Sequence, residues 1–196
     1  MPLVLIVAAV AAYLYFSQDS EAQAGTGELQ GPLLGYDGPI GPQAPNNVDF
    51  GGQQSMDTWA EEVSNQQVIN AIQSWSITRG LDPRLTAAIV RTESSFRPDV
   101  KNPADPSYGL MGVTPLIAHA YGGWAKADGE DAIKQIDLNV RAGTGFLRHL
   151  VDRYGRLEDA IQAYNLGETK FDQGVRVPDY LSKVLTAFNR YGGGIS

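Results

Sequence analysis

Apolar positions recur at helical spacing through the second part of the chain. Val63, Ile69, Ile72 and Trp75 predict a first helix, with Asp57 as its N-cap and Gly80 as its stop. Asp82-Pro83 pairs a capping side chain with a proline suited to the first helical position. The helix it starts carries Leu85, Ala88, Ile89 and Thr92. Thr114-Pro115 repeats the signal, and Gly122-Gly123 ends that helix. A long helix follows, with Ile133, Ile136, Val140, Phe146, Leu147, Leu150 and Tyr154 on its apolar side and Gly155 just past its end. A short helix is expected over 157–165, and a last one from about Pro178, carrying Leu181, Val184, Leu185 and Phe188. No run alternates with period two for long enough to predict a sheet. The pattern reads as a mainly α domain over 58–196, with one irregular segment, 94–113.

The N-terminal part follows another logic. Residues 3–16 are unbroken apolar and end in Tyr13, Tyr15 and Phe16, rings suited to a membrane interface. A transmembrane anchor over 1–16 is expected. The rival is a signal peptide cleaved near Ala22-Gln23-Ala24, but no Lys or Arg precedes the apolar run. Residues 17–57 repeat turn-forming Gly, Pro, Asn and Gln without apolar period and read as a tether. A flexible tether of that length reaches on the order of 35 Å.

Charge and composition narrow the chemistry. The 196 residues carry a formal charge of −7. The acidity belongs to the N-terminal third: no Lys or Arg precedes Arg79, whereas Asp19, Glu21, Glu28, Asp37, Asp49, Asp57, Glu61 and Glu62 do. The remainder is near neutral. No basic patch dominates, which argues against a nucleic-acid partner. There is no cysteine, so disulfides, thiolate nucleophiles and thiolate metal sites are excluded. His119 and His149 are too few for a zinc constellation. No phosphate-binding or dinucleotide motif occurs, and no cofactor or metal is expected.

One acid stands out. Leu85, Ile89 and Glu93 fall at i, i+4 and i+8, so Glu93 lies at the edge of an apolar stripe. Desolvation there raises a carboxyl pKa and keeps it protonated, as a general acid requires. The competing reading is a cap, or a pair with Arg91 or Arg97.

The surroundings favour catalysis. Glu93-Ser94-Ser95-Phe96-Arg97-Pro98 is followed by Ser107-Tyr108-Gly109-Leu110-Met111-Gly112-Val113-Thr114-Pro115, then Ala163-Tyr164-Asn165-Leu166-Gly167, then Pro178-Asp179-Tyr180-Leu181. The order and spacing resemble the soluble-lytic-transglycosylase family, whose catalytic domain has a goose-lysozyme-like fold. The resemblance implies cleavage of the β-1,4 bond between N-acetylmuramic acid and N-acetylglucosamine in peptidoglycan, with Glu93 as the single acid and base and a 1,6-anhydro product. Ordinary glycosidases place two carboxyl groups about the bond. An internal hydroxyl as nucleophile removes the need for the second. The resemblance also implies a substrate site of Ser107, Tyr108, Gly109, Met111, Tyr164, Asn165 and Tyr180, with the Tyr180 hydroxyl toward the acid. For Met111 the core is the commoner fate, and Tyr121 and Trp124 are expected to pack rather than bind sugar.

The sequence departs from the family pattern at three places. Gly112 stands where the family has Gln after G-L-M. Asn102 stands where it often has Ser, with Ser107 in the next turn. Val177-Pro178-Asp179 replaces the usual residues before the late Tyr. The expected partners are glycan strands and, through residues 3–16, a membrane, either of a bacterial envelope or of a phage particle. Two alternatives stay open. One is a muramidase using water held by Asp99 or Asp105. The other is a non-catalytic glycan-binding or structural membrane protein.

Overall fold

Side-chain caps set three of the helix starts among the described residues. The computed structural model describes residues 57–194. The expected anchor over 1–16 and the tether over 17–57 lie outside the described residues, except that Asp57 opens the first helix. Two helices, α1 (Asp57–Ala60) and α2 (Gln66–Thr78), stand where the apolar spacing predicts one. The break comes from Asn65, whose side chain accepts from the Gln67 N–H at 2.9 Å and caps α2 afresh.

Helix α3 (Pro83–Ser94) starts as expected: Asp82 Oδ1 accepts from the Arg84 N–H at 2.9 Å, and Pro83 follows the cap. Helix α4 (Pro115–Gly122) repeats the device with Thr114 and ends on Gly123 in the left-handed region. Two 3-10 turns, Lys126–Asp128 and Glu130–Lys134, lead into the long α5 (Ile136–Tyr154), which stops at Gly155. Helix α6 (Leu157–Leu166) is followed by α7 (Glu168–Asp172), an element the apolar pattern does not predict, and by α8 (Pro178–Arg190).

Helix α5 is the hub. Helices α2, α4 and α6 pack on it, while α3 lies between α2 and α8. The main core joins Ile72, Leu85, Ile89, Leu110, Met111, Val140, Ile161 and Val184, all buried. Leu85 and Ile89 alone contribute about 1.5–3 kcal/mol each to holding α3 in place. A second cluster of Phe146, Leu150, Ala163 and Phe171 seats α7 against α5 and α6. Glu62 ties the ends of α3 and α8 together, pairing with Arg91 and, at 2.8 Å, with Arg190. The fold is mainly α, as expected. The segment 94–113 is irregular as expected, with Tyr108 paired by isolated bridges to Lys101 and Val113. Among the described residues no helix is long and apolar enough to cross a membrane.

Candidate active site

Glu93 occupies the last turn of α3, one turn beyond the buried Ile89. The Tyr180 hydroxyl, from the first turn of α8, donates to Glu93 Oε1 at 2.5 Å. Burial pushes the Glu93 carboxyl above its ordinary range. The Tyr180 hydrogen bond partly offsets this, and the charge of Asp105 adds to the rise. The pairing alternative is not realised: Arg91 is engaged by Glu62, and Arg97 Nε donates to the Ser94 carbonyl at 3.1 Å. Burial, with the nearby Glu93 charge, holds the phenols of Tyr164 and Tyr180 well above their usual range. Both therefore act as hydrogen-bond donors beside the acid.

A hydrogen-bonded wall stands next to the carboxyl. The Tyr164 hydroxyl donates to the Met111 carbonyl at 2.8 Å, and Ser94 Oγ donates to the Leu110 carbonyl at 2.9 Å. Asn139, buried in α5, accepts from the Met111 N–H and donates to the carbonyls of Tyr108 and Ile133, each at 2.8 Å. A Cβ on Gly109 would fall 2.4 Å from Asn139 Nδ2, so only glycine lets this side chain reach the turn.

Beside the wall opens a cleft of about 510 Å³, lined by Glu93, Thr92, Asn165, Arg176, Tyr180 and Lys183 among others. Gln162 Oε1 accepts from the Val177 N–H at 3.2 Å, which fixes the chain entering α8 against α6. The Arg176 guanidinium lies 3.9 Å from the Phe171 ring centroid. A larger groove of about 740 Å³, lined by Trp75, Asp99, Lys134 and Asp137, does not include Glu93.

Of the expected site residues, Glu93, Asn165 and Tyr180 meet in one cleft. Tyr164 stands behind it, bonded to the wall. Met111 and Tyr108 do not line it. Met111 is fully buried, and Tyr108 is 2% exposed, with its hydroxyl donated to Glu130. Both are wall residues, because their side chains fill the space between segment 94–113 and the core. Gly109 is likewise internal, and Ser107 is half-buried in the turn whose carbonyl accepts from the Asn102 N–H at 3.0 Å. Tyr121 and Trp124 belong to packing, Tyr121 against Phe146 and Trp124 through a bond to the Gly129 carbonyl. Asn139 and Gln162 were not expected. Their only sequence signal is a polar amide inside an apolar helix stripe.

Residues 70–183 match the family model described as Transglycosylase SLT domain. The chain belongs to the transglycosylase SLT family. The transglycosylase of Enterobacteria phage PRD1 is 32% identical over 125 residues, covering 61% of this chain and 44% of the phage protein. The SLT chain therefore spans less than half the length of that relative. Its fold is similar to the crystal structure of an inactive mutant of lytic transglycosylase Slt from Pseudomonas aeruginosa, with TM-score 0.55 and 23% identity. That likeness covers 63% of this chain and 23% of the Pseudomonas protein.

Proposed function

We propose that this SLT protein cleaves the β-1,4 bond between N-acetylmuramic acid and N-acetylglucosamine in peptidoglycan and leaves 1,6-anhydromuramyl ends. Glu93 is the one acid and base. Its protonated carboxyl gives the proton to the glycosidic oxygen, and the N-acetylglucosamine leaves with a new hydroxyl. The carboxylate then takes the proton of the muramyl C6 hydroxyl as that oxygen closes on C1. Tyr180 occupies Oε1, which leaves Oε2 for the proton transfers. Asn165 and Tyr180 line the cleft for the sugars, with Tyr164 bracing the wall.

The observation that carries this reading is Glu93 in a cleft, desolvated and hydrogen-bonded by a neutral phenol rather than neutralised by a cation. A water-using muramidase needs a second carboxylate that holds the nucleophile. Asp99 lies in the Trp75 groove, and Asp105 is exposed and bonded to Asn102 Nδ2 at 3.1 Å. Asp99 thus lies apart from the acid and Asp105 is already held by Asn102, which supports the internal hydroxyl. Within the same reading, residues 1–16 anchor the chain in a membrane and residues 17–57 let the head reach the wall, as suits a bacterial envelope or a virion that opens walls.

The test is mass spectrometry of muropeptides released from purified peptidoglycan by the full chain and by Glu93→Gln. Anhydromuramyl ends from the wild type alone are expected. Reducing ends would favour the muramidase. No release by either protein would favour the non-catalytic glycan-binding alternative.

A further inference from the structure

Gly112 follows Met111 in the wall and has φ +59, in the left-handed region. A Cβ built there would fall 2.7 Å from Glu93 Oε2 and 3.3 Å from its carboxyl carbon. Real Cβ atoms do not come that close to oxygen, so one of the two must move. The backbone of the turn is held on both sides. Tyr108 and Val113 exchange backbone hydrogen bonds at 3.0 and 2.9 Å, and Asn139 holds Met111 at 2.8 Å. The carboxyl is the free end of a flexible side chain, so the carboxyl gives way.

We propose that Gly112 is a positioning residue of this enzyme: the side chain it lacks is the space in which the reactive Oε2 of Glu93 sits. The inference rests on the reading of Glu93 as the acid. Oε1 is fixed by the Tyr180 hydroxyl at 2.5 Å, and Oε2 occupies the space that a side chain at residue 112 would fill. The carboxyl is thereby held between α8 and the wall in one orientation, as proton transfer to a bound sugar requires. The position is also where this sequence departs from the family's Gln. A Gln restored here therefore lowers activity in this chain rather than raising it.

Gly155 supplies the control. Its φ is +69, and a Cβ there meets nothing within 4 Å. Gly155→Ala thus imposes similar backbone strain far from the acid. Full-length wild type, Gly112→Ala, Gly112→Gln and Gly155→Ala are assayed on purified peptidoglycan, and the two alanine variants are also melted in wild-type and Glu93→Ala backgrounds. Both Gly112 variants are expected to lose on the order of 10–100-fold in kcat, with Gly155→Ala at the wild-type rate.

The alkaline limb of the kcat profile should move upward in Gly112→Ala, since the displaced carboxyl loses the Tyr180 bond. Tyr180 on α8 and Tyr164 on α6 stand beside it, Asp105 bears on its charge, and Arg176, Asp179 and Lys183 line the same cleft. Gly112→Ala should also lower Tm more in the wild type than in the Glu93→Ala background, where the colliding atoms are gone. Gly155→Ala should lower it equally in both. A Gly112→Ala or Gly112→Gln variant with wild-type kcat overturns the proposal. So does an unmoved alkaline limb, or an equal Tm loss in the two backgrounds. If the wild type digests nothing, the reading of Glu93 as the acid fails instead, and the melting comparison still decides the seat.

Discussion

Asn139 Nδ2 donates to the Tyr108 carbonyl at 2.8 Å, while its Oδ1 accepts from the Met111 N–H at the same distance. One buried amide on α5 thereby holds the turn that forms the wall beside Glu93. Asn139→Ala leaves the Met111 N–H buried without this acceptor and opens a small void. A loss of about 2–4 kcal/mol in stability is expected, read as a lower urea midpoint. Activity should fall below the wild-type level even where the variant is fully folded, because the wall loosens.

Tyr180→Phe keeps the ring and removes the donor to Glu93 Oε1. That bond holds the carboxyl pKa down against burial and the charge of Asp105. Its loss moves the alkaline limb of kcat upward. The misoriented acid should cost about tenfold in kcat, equivalent to ~1.4 kcal/mol of transition-state stabilisation. A pH profile of the variant checks both, and an unmoved limb would count against Glu93 as the titrating group.

The legible parts of this fold are the ones written in neighbouring residues. Asp82-Pro83 and Thr114-Pro115 announce α3 and α4 because a cap acts within one turn. Glu93 is legible from its spacing to Leu85 and Ile89. The break before α2 escapes because Asn65 sits in a polar run where any residue is a possible cap. Helix α7 escapes because five residues cannot stand by propensity; the Phe171 ring, 4.8 Å from Tyr154, holds it from outside. Met111 and Tyr108 carry a family motif, yet their side chains face the core, a distinction that a motif does not encode. Asn139 and the space at Gly112 are invisible for the same reason. They exist only once distant segments meet.

Glu93 also makes stability depend on pH. Burial raises its folded pKa above the ordinary value of 4.5. The folded state then binds the proton more tightly than the unfolded chain, so the group's favourable contribution is complete below that ordinary value. It is lost as pH rises through the folded value, where a charged carboxylate must stay desolvated. Glu93→Gln should therefore raise Tm at neutral pH, with the advantage vanishing as pH falls toward 4.5. The same variant should lose at least ~100-fold in activity. Thermal melts across pH, beside the digestion assay, separate the two effects. A Gln variant less stable at every pH would contradict the desolvated carboxyl.

Gly143, inside α5, puts helix propensity and packing in opposition. Alanine at an interior helical position is ordinarily worth about 1 kcal/mol over glycine. Here a Cβ would fall 2.5 Å from Met111 Sδ and 2.7 Å from Met111 Cβ. The sulfur can swing aside, but the Met111 Cβ moves only with its backbone, and that backbone is bound by Asn139 and Tyr164. Overpacking of this kind costs about 1–3 kcal/mol, which exceeds the propensity gain. Gly143→Ala should thus lower Tm, where propensity alone would raise it. It should also lower kcat, since the Met111 carbonyl that receives the Tyr164 hydroxyl shifts with the turn. A Tm above the wild type would show that the wall yields to a methyl group, and that the contact between Gly143 and Met111 does not fix the turn beside Glu93.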